Sequence, residues 1–340
     1  MAKFCTSGVE IKGIHTCVPM QVIKNRGELN SVSSEEVERI VKMAGVEERH
    51  VAEEGVCTSD LCVDAAEKLL QSLNWSRETI DLLVFVTQTP DYFMPSSSCI
   101  LQNKLSLSQE CAAFDVNLGC SAYPYGLCIV SNMMQSGSIR RALLLVGETP
   151  SKVCHPSDRS TFLIFGDVGS ATALEVSSEA SNAHFVLCSD GGGAGDFIVP
   201  AGGFRDRFSS EHRNHFISMN GPGIFAFSMR TVPPLLDDIL TYAGLKRDEV
   251  DYFLFHQANQ FIIEHLRKKM RLPKDKVPVV MNRFGNTGGG SLPLTITQAP
   301  LDRPNDKFLQ VVLLAFGVGL SWGAATVALK PSCVLNHSTL

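Results

Sequence analysis

Apolar residues along the chain fall into two kinds of segment. Leu82-Leu-Val-Phe-Val-Thr87 and Tyr252-Phe-Leu-Phe-His-Gln257 are short, nearly continuous apolar runs, the pattern of strands covered on both faces. Leu61, Ala65, Ala66, Leu69, Leu70 and Leu73 instead recur on one helical face, and Phe225 to Tyr242 forms a second helical stretch that Gly244 is placed to end. Buried strands alternating with helices predict an α/β protein. The runs also repeat. Ser76-Arg-Glu-Thr-Ile-Asp81 leads into the first strand and Lys246-Arg-Asp-Glu-Val-Asp251 into the second, an offset of 170 residues, each after a helix. Gly166-Asp-Val-Gly-Ser-Ala-Thr-Ala-Leu174 and Gly317-Val-Gly-Leu-Ser-Trp-Gly-Ala-Ala-Thr-Val-Ala-Leu329 are both glycine turns running into small-residue strands. The expected organisation is two similar halves, residues 1–175 and 176–340, packed together.

Composition narrows the function classes. A net charge of −5, with no long single-sign block, argues against nucleic acid as the main ligand. The longest apolar run, Val311 to Leu320, is too short to span a bilayer, so no membrane partner is expected. The N-terminal segment has no basic stretch followed by an apolar run, so no signal peptide is expected. Eleven scattered cysteines without a CxxC pair read as reduced, mostly buried thiols of a cytoplasmic protein. No metal site is read: His212 and His215 lack a third ligand at useful spacing. Gly191 to Ser210, rich in Gly, Asp and Arg, reads as an exposed loop.

Three positions carry candidate chemistry. Cys120, in Asp115-Val-Asn-Leu-Gly-Cys-Ser-Ala-Tyr123, falls between a strand and a helical run. Unpaired N–H groups and the dipole at a helix start favour a thiolate, so a lowered thiol pKa and a nucleophilic role are expected. His256 ends the second-half strand, where the first half has Val86, and strand C-terminal ends are where open α/β sheets bind ligands. Asn286 sits in Arg283-Phe-Gly-Asn-Thr-Gly-Gly-Gly-Ser291, where glycines let backbone approach a ligand and the amide offers an uncharged donor. Gly317-Val-Gly319 could aim a backbone N–H at the same space. A thiol that takes an acyl group, backbone donors for an oxyanion, and neutral His and Asn donors for a second negative charge suit a thioester enolate; no carboxylate beside His256 suggests a hydrolase.

In joint order these residues resemble the ketoacyl-acyl carrier protein synthase III family of the thiolase superfamily. The Cys120 block, HQAN at 256–259, GNT at 285–287, Asp158-Arg-Ser-Thr161 with Phe165-Gly-Asp167, and Phe316-Gly-Val-Gly-Leu-Ser-Trp-Gly323 carry the likeness over nearly the whole chain. The resemblance implies a duplicated thiolase-like five-layered αβαβα fold, a homodimer, and decarboxylative Claisen condensation through an acyl-Cys120 intermediate. It implies acyl-coenzyme A or acyl carrier protein thioesters and a malonyl thioester as substrates, acyl carrier protein as a partner, and no permanently bound cofactor. By position, His256 and Asn286 match the pair that binds the malonyl thioester carbonyl. The backbone N–H groups of Cys120 and Val318 match the oxyanion hole, with Val318 where the family has glycine. Arg159 matches a residue near the adenine of coenzyme A, Phe225 a wall of the pantetheine tunnel, and Met94 the place where a dimer partner's aromatic closes the acyl pocket. Arg39 and Met43 replace the residues that grip the adenine end, and Ala226 and Phe261 replace basic residues that dock the carrier, with Lys268 and Lys269 still present nearby. These departures bear on the carrier rather than the chemistry and point to a specialised pathway member. Two other readings stay open: acyl transfer from Cys120 to an oxygen or nitrogen acceptor, and a catalytically silent acyl-binding dimer partner.

Overall fold

The computed structural model describes residues 1–26, 34–301, 307–330 and 332–340. Eleven strands build two main sheets: β1 (Ala2–Thr6), β2 (Val9–Val18), β3 (Leu82–Val86), β4 (Ala112–Val116), β5 (Arg141–Val146), β6 (Gly169–Val176), β7 (Ala183–Ser189), β8 (Tyr252–Phe255), β9 (Leu309–Gly317), β10 (Ser321–Leu329) and β11 (Val334–Thr339). Six helices cover them: α1 (Thr58–Leu73), α2 (Ser97–Lys104), α3 (Ala122–Met134), α4 (Gly221–Ala243), α5 (Gln260–Lys269) and α6 (Ser291–Gln298). The six-stranded sheet runs β11-β2-β6-β5-β3-β4 and the five-stranded sheet β1-β7-β10-β9-β8. α3 and α6 lie between the sheets, α1 and α2 cover the outer face of one, and α4 and α5 that of the other. This is the five-layered αβαβα arrangement of a thiolase-like fold. Its largest apolar cluster, with Val84, Leu127, Leu144, Leu254 and Leu313, fills the space between the sheets.

The duplication reaches individual hydrogen bonds. α1 ends at Asn74 and α4 at Gly244, both left-handed, and Trp75 N–H and Leu245 N–H donate back to Leu70 and Leu240 carbonyls at 3.0 Å. A 3₁₀ turn follows each, Arg77–Thr79 and Arg247–Glu249. The aspartate closing each turn then ties its strand to the next. Asp81 N–H donates to Arg141 O and Asp251 N–H to Gln310 O, while the Asp81 carboxylate accepts from Arg140 and Arg141 N–H and that of Asp251 from Gln310 N–H. β3 then runs parallel to β5, β5 antiparallel to β6, and β6 antiparallel to β2. β8, β9, β10 and β7 repeat that order and those directions.

The fifth strand of each set comes from the other end of the chain. β1 pairs antiparallel with β7, and β11 pairs parallel with β2. This shared order supports the proposal that 1–175 and 176–340 are repeats, modified by an exchange of their terminal strands. Gly191 to Ser210 is mostly exposed, as expected, but part of it is ordered into short elements. It begins with a 3₁₀ turn, Gly191–Asp196, and continues into Phe197–Ile198, which pairs with Ser218–Met219. The ribbon forms because Phe197 packs against Phe165, ring centroids 6.1 Å apart.

Two imidazoles, His15 buried and His337 half-buried, fasten β11. His15 Nε2 and Ser338 Oγ lie 3.0 Å apart, Ser338 Oγ donates to Asp64 at 2.5 Å, and His337 Nδ1 lies 3.0 Å from Thr16 Oγ1. Burial pulls both rings down from 6.5 to about 4, with Asp64 partly opposing this at His15. Each ring therefore takes up a proton more readily unfolded, near pH 6.5, than folded, near pH 4. Their contribution is complete above pH 6.5 and is lost as pH falls toward 4, by up to about 1.4 kcal/mol per pH unit for each ring. Urea midpoints are expected to fall steadily as pH drops from 6.5 to 4.5, and less steeply in His337→Gln. Equal slopes in the two proteins would contradict this role.

Candidate active site

Cys120 lies in the turn between β4 and α3, as its sequence context predicts. Two close approaches fix the sulfur. Ser121 Oγ lies 2.7 Å from Ser321 Oγ, and Ser321 Oγ donates to the Val318 carbonyl at 2.8 Å, which ties the turn to the β9–β10 hairpin. Gly317 packs flush on Cys120: a Cβ there would stand 2.5 Å from both its Cβ and its Sγ. Backbone N–H groups of Val318 and of Cys120 itself point at the sulfur.

The electrostatics correct one expectation. The Cys120 pKa is raised, not lowered: burial pushes the thiol up to about 11, and the two backbone N–H groups only partly oppose it. Partial helix charge stabilises a thiolate by at most about 2 kcal/mol, and no cation contributes to the shift. Desolvation wins. Cys120 rests as a thiol whose sulfur already faces hydrogen-bond donors.

His256 directly follows β8, and its N–H donates to the Leu314 carbonyl on β9 at 2.8 Å. The ring is buried, edge-on to Phe316, with Nδ1 2.7 Å from Ser291 Oγ. Burial pulls its pKa down to about 4, only partly offset by the Gly288 carbonyl. The imidazole is therefore neutral at physiological pH. Asn286 is held through its backbone: its N–H donates to Ile164 O, and its carbonyl accepts from Gly166 N–H. Its Oδ1 accepts from Gly288 N–H at 3.0 Å, leaving the two Nδ2 protons as the donating edge. That turn needs glycine at 288, where φ is +55° and a Cβ would come 2.7 Å from Glu148 Cγ.

Cys120, His256, Asn286 and Val318 line one narrow cavity of about 50 Å³, walled by Phe165, Phe197, Met219, Ile224 and Phe316. Three groups matched by resemblance do not line it. Arg159 is half-buried at the start of a short helix, Arg159–Phe162. Phe225 is one residue past the lining Ile224 and stacks instead with Phe261 and His265, centroids 5.5 and 5.7 Å away. Met94 is 76% exposed on a loop beside Tyr92 and Phe93. Among the described residues no group of three or more His, Cys, Asp or Glu is arranged to hold a metal.

The sequence reading passed over Ser291 and Glu148. Glu148 is buried beneath Gly288 and accepts from Gln88 N–H and Thr89 Oγ1. Burial pushes its carboxyl up to about 8, against the pull of those donors. A single acidic residue directly after the apolar run Ala142–Gly147 was the available signal. Ser291 had none beyond its place after three glycines. Replacing Gly317 with alanine is expected to displace the sulfur and slow acyl labelling of Cys120 about 10²-fold, measured by intact mass on protein with native circular dichroism. An unchanged labelling rate would contradict the close packing.

Residues 114–191 match the family model described as 3-oxoacyl-[acyl-carrier-protein (ACP)] synthase III, and residues 240–329 match that family's C-terminal model. A beta-ketoacyl-[acyl-carrier-protein] synthase III of Caldanaerobacter subterraneus subsp. tengcongensis is 33% identical over 321 residues, covering 93% of this chain and 96% of the relative. One from Clostridium perfringens is 32% identical over 322 residues, covering 93% of this chain and 97% of that one. The crystal structure of a 3-oxoacyl-(acyl-carrier protein) synthase from Burkholderia xenovorans LB400 superposes with a TM-score of 0.95 at 41% identity, covering 100% of this chain and 99% of the other. With a fold, a cavity and relatives that agree over nearly its full length, the chain belongs to the 3-oxoacyl-[acyl-carrier-protein] synthase III family.

Proposed function

We propose that the protein joins an acyl thioester to a malonyl thioester by decarboxylative Claisen condensation, giving a 3-oxoacyl thioester. The observation that carries this reading is the convergence of Cys120 with two uncharged donors, His256 and Asn286, in one desolvated cavity. Cys120 attacks the acyl carbonyl. Its proton leaves on the departing coenzyme A or carrier sulfur, and the backbone N–H groups of Cys120 and Val318 hold the oxyanion. The malonyl thioester then binds with its carbonyl oxygen against His256 and Asn286. As the C–C bond to carbon dioxide breaks, the electron pair moves onto that oxygen. The resulting enolate attacks the acyl carbonyl and expels the Cys120 sulfur, which recovers a proton.

A neutral imidazole suits this step. A cation would bind the malonyl carboxylate that has to leave as uncharged carbon dioxide, whereas a neutral N–H favours the charge developing on the thioester oxygen. The chemistry uses side-chain and backbone groups of this chain, with coenzyme A or carrier thioesters as substrates and no resident cofactor. Exposed Phe261 and Ala226 at the α4–α5 mouth favour a carrier contact less dependent on positive charge, with Lys268 and Lys269 supplying what remains. A homodimer is part of the reading: exposed Phe93, Met94, Phe204 and Phe208 form an apolar patch, with Arg207 over three of its rings. A cytoplasmic location agrees with eleven free cysteines, and no described helix is long and apolar enough to cross a membrane.

The test separates the two half-reactions. Intact-mass labelling is expected to show an acyl adduct that Cys120→Ala abolishes. His256→Ala and Asn286→Ala are expected to label at near-native rates yet lose malonyl-dependent carbon dioxide release by about 10²–10³-fold each. Undiminished product formation in both variants, or an adduct discharged to an oxygen or nitrogen acceptor without carbon dioxide, would overturn the condensation reading.

A further inference from the structure

A neutral histidine donates into the cavity in only one of its two tautomers, so something must select it. Among the described hydrogen bonds, the one side-chain partner of the His256 ring is Ser291, whose Oγ lies 2.7 Å from Nδ1. Both side chains are buried, away from water that would exchange the roles. The direction follows from what else reaches the hydroxyl. Gln257 N–H, which can only donate, points at Ser291 Oγ from 3.4 Å. An oxygen that accepts there keeps its own O–H to give, and Nδ1 is the acceptor within reach. The Gly288 carbonyl also faces the ring and would favour a protonated nitrogen, but among the described hydrogen bonds it accepts from Ser291 N–H and not from the ring. Ser291 opens α6, and Thr295 Oγ1 donates to its carbonyl at 2.8 Å, so the helix fixes where the hydroxyl stands.

We propose that Ser291 is a positioning residue: its hydroxyl donates to His256 Nδ1 and so keeps the ring proton on Nε2, where the imidazole can donate into the Cys120 cavity. The tautomer assignment stands on geometry alone; its kinetic consequence rests on the condensation reading above.

Nitrogen-15 NMR of the full-length protein, labelled at its histidine rings and assigned with His256→Gln, reads the tautomer directly at pH 7. The expected native spectrum has a protonated Nε2 and an unprotonated Nδ1. Ser291→Ala is expected to shift the proton toward Nδ1 and the Gly288 carbonyl, and Ser291→Thr to keep the native pattern. In the kinetic arm, Ser291→Ala is expected to acylate Cys120 within about twofold of native while kcat for condensation falls about tenfold. KM should change little, and threonine should restore the rate. A protonated Nδ1 in the native protein, or a Ser291→Ala ring unchanged from native, would overturn the proposal. So would equal loss of acylation and condensation, which marks a structural role. If Ser291→Ala does not fold, the native spectrum and Ser291→Thr decide. Full condensation activity in His256→Gln would remove the functional reading while leaving the tautomer result intact.

Discussion

His256 and Glu148 are buried between and beneath the two sheets with Cys120 half-buried beside them, and charge is kept out of the space they share. The thiol is held near 11, the imidazole near 4 and the carboxyl near 8, so all three groups sit predominantly uncharged at neutral pH. A charged group of this size transferred from water without a partner costs several kcal/mol. The site meets that constraint with neutral donors and backbone N–H groups, which do not need to be ionised to act. Other local features follow from it. Asn286 stands where a lysine would have to lose its proton, and Ser291 partners His256 where a carboxylate would require a counter-charge.

The scaffold makes such a site by bringing the ends of two equivalent motifs together. Cys120 follows β4 in the first sheet, and His256 follows β8 in the second, the counterpart of β3. β3 and β8 begin with the same aspartate device. The Phe165–Asn286 bridge then stitches the halves beside the cavity. Buried Asp167, two residues on, accepts from Ala52 N–H and from Ser151, so the Phe-Gly-Asp stretch anchors the segment against which Asn286 is held.

Much of this could be read from the chain. The turn, aspartate and apolar strand at 76–87 and 246–257 announce themselves because local hydrogen bonding dictates them. Cys120, His256 and Asn286 stand out because each breaks its neighbourhood's pattern, a reactive or polar residue at the end of an apolar run or among glycines. The terminal strands could not be assigned to a sheet. Ala2–Thr6 and Val334–Thr339 are short and mixed in polarity, and which edge a strand joins depends on the rest of the fold. The thiol's acidity was misjudged for a related reason. A helix start is visible in sequence, whereas the depth at which it is buried is not. Ser291 was silent because a serine beginning a helix is ordinary until an imidazole is found against it.

The pairing of Val334–Thr339 with Gly13–Val18 joins residues about 320 positions apart. A nascent chain leaving the ribosome therefore presents β2 with one border open until residues 334–339 follow. Closure waits for residues 334–339, and contacts this remote form slowly. Translation thus sets an interval in which β2 has an uncovered edge able to recruit a strand from another chain. Residues 334–339 act as the seal on that border.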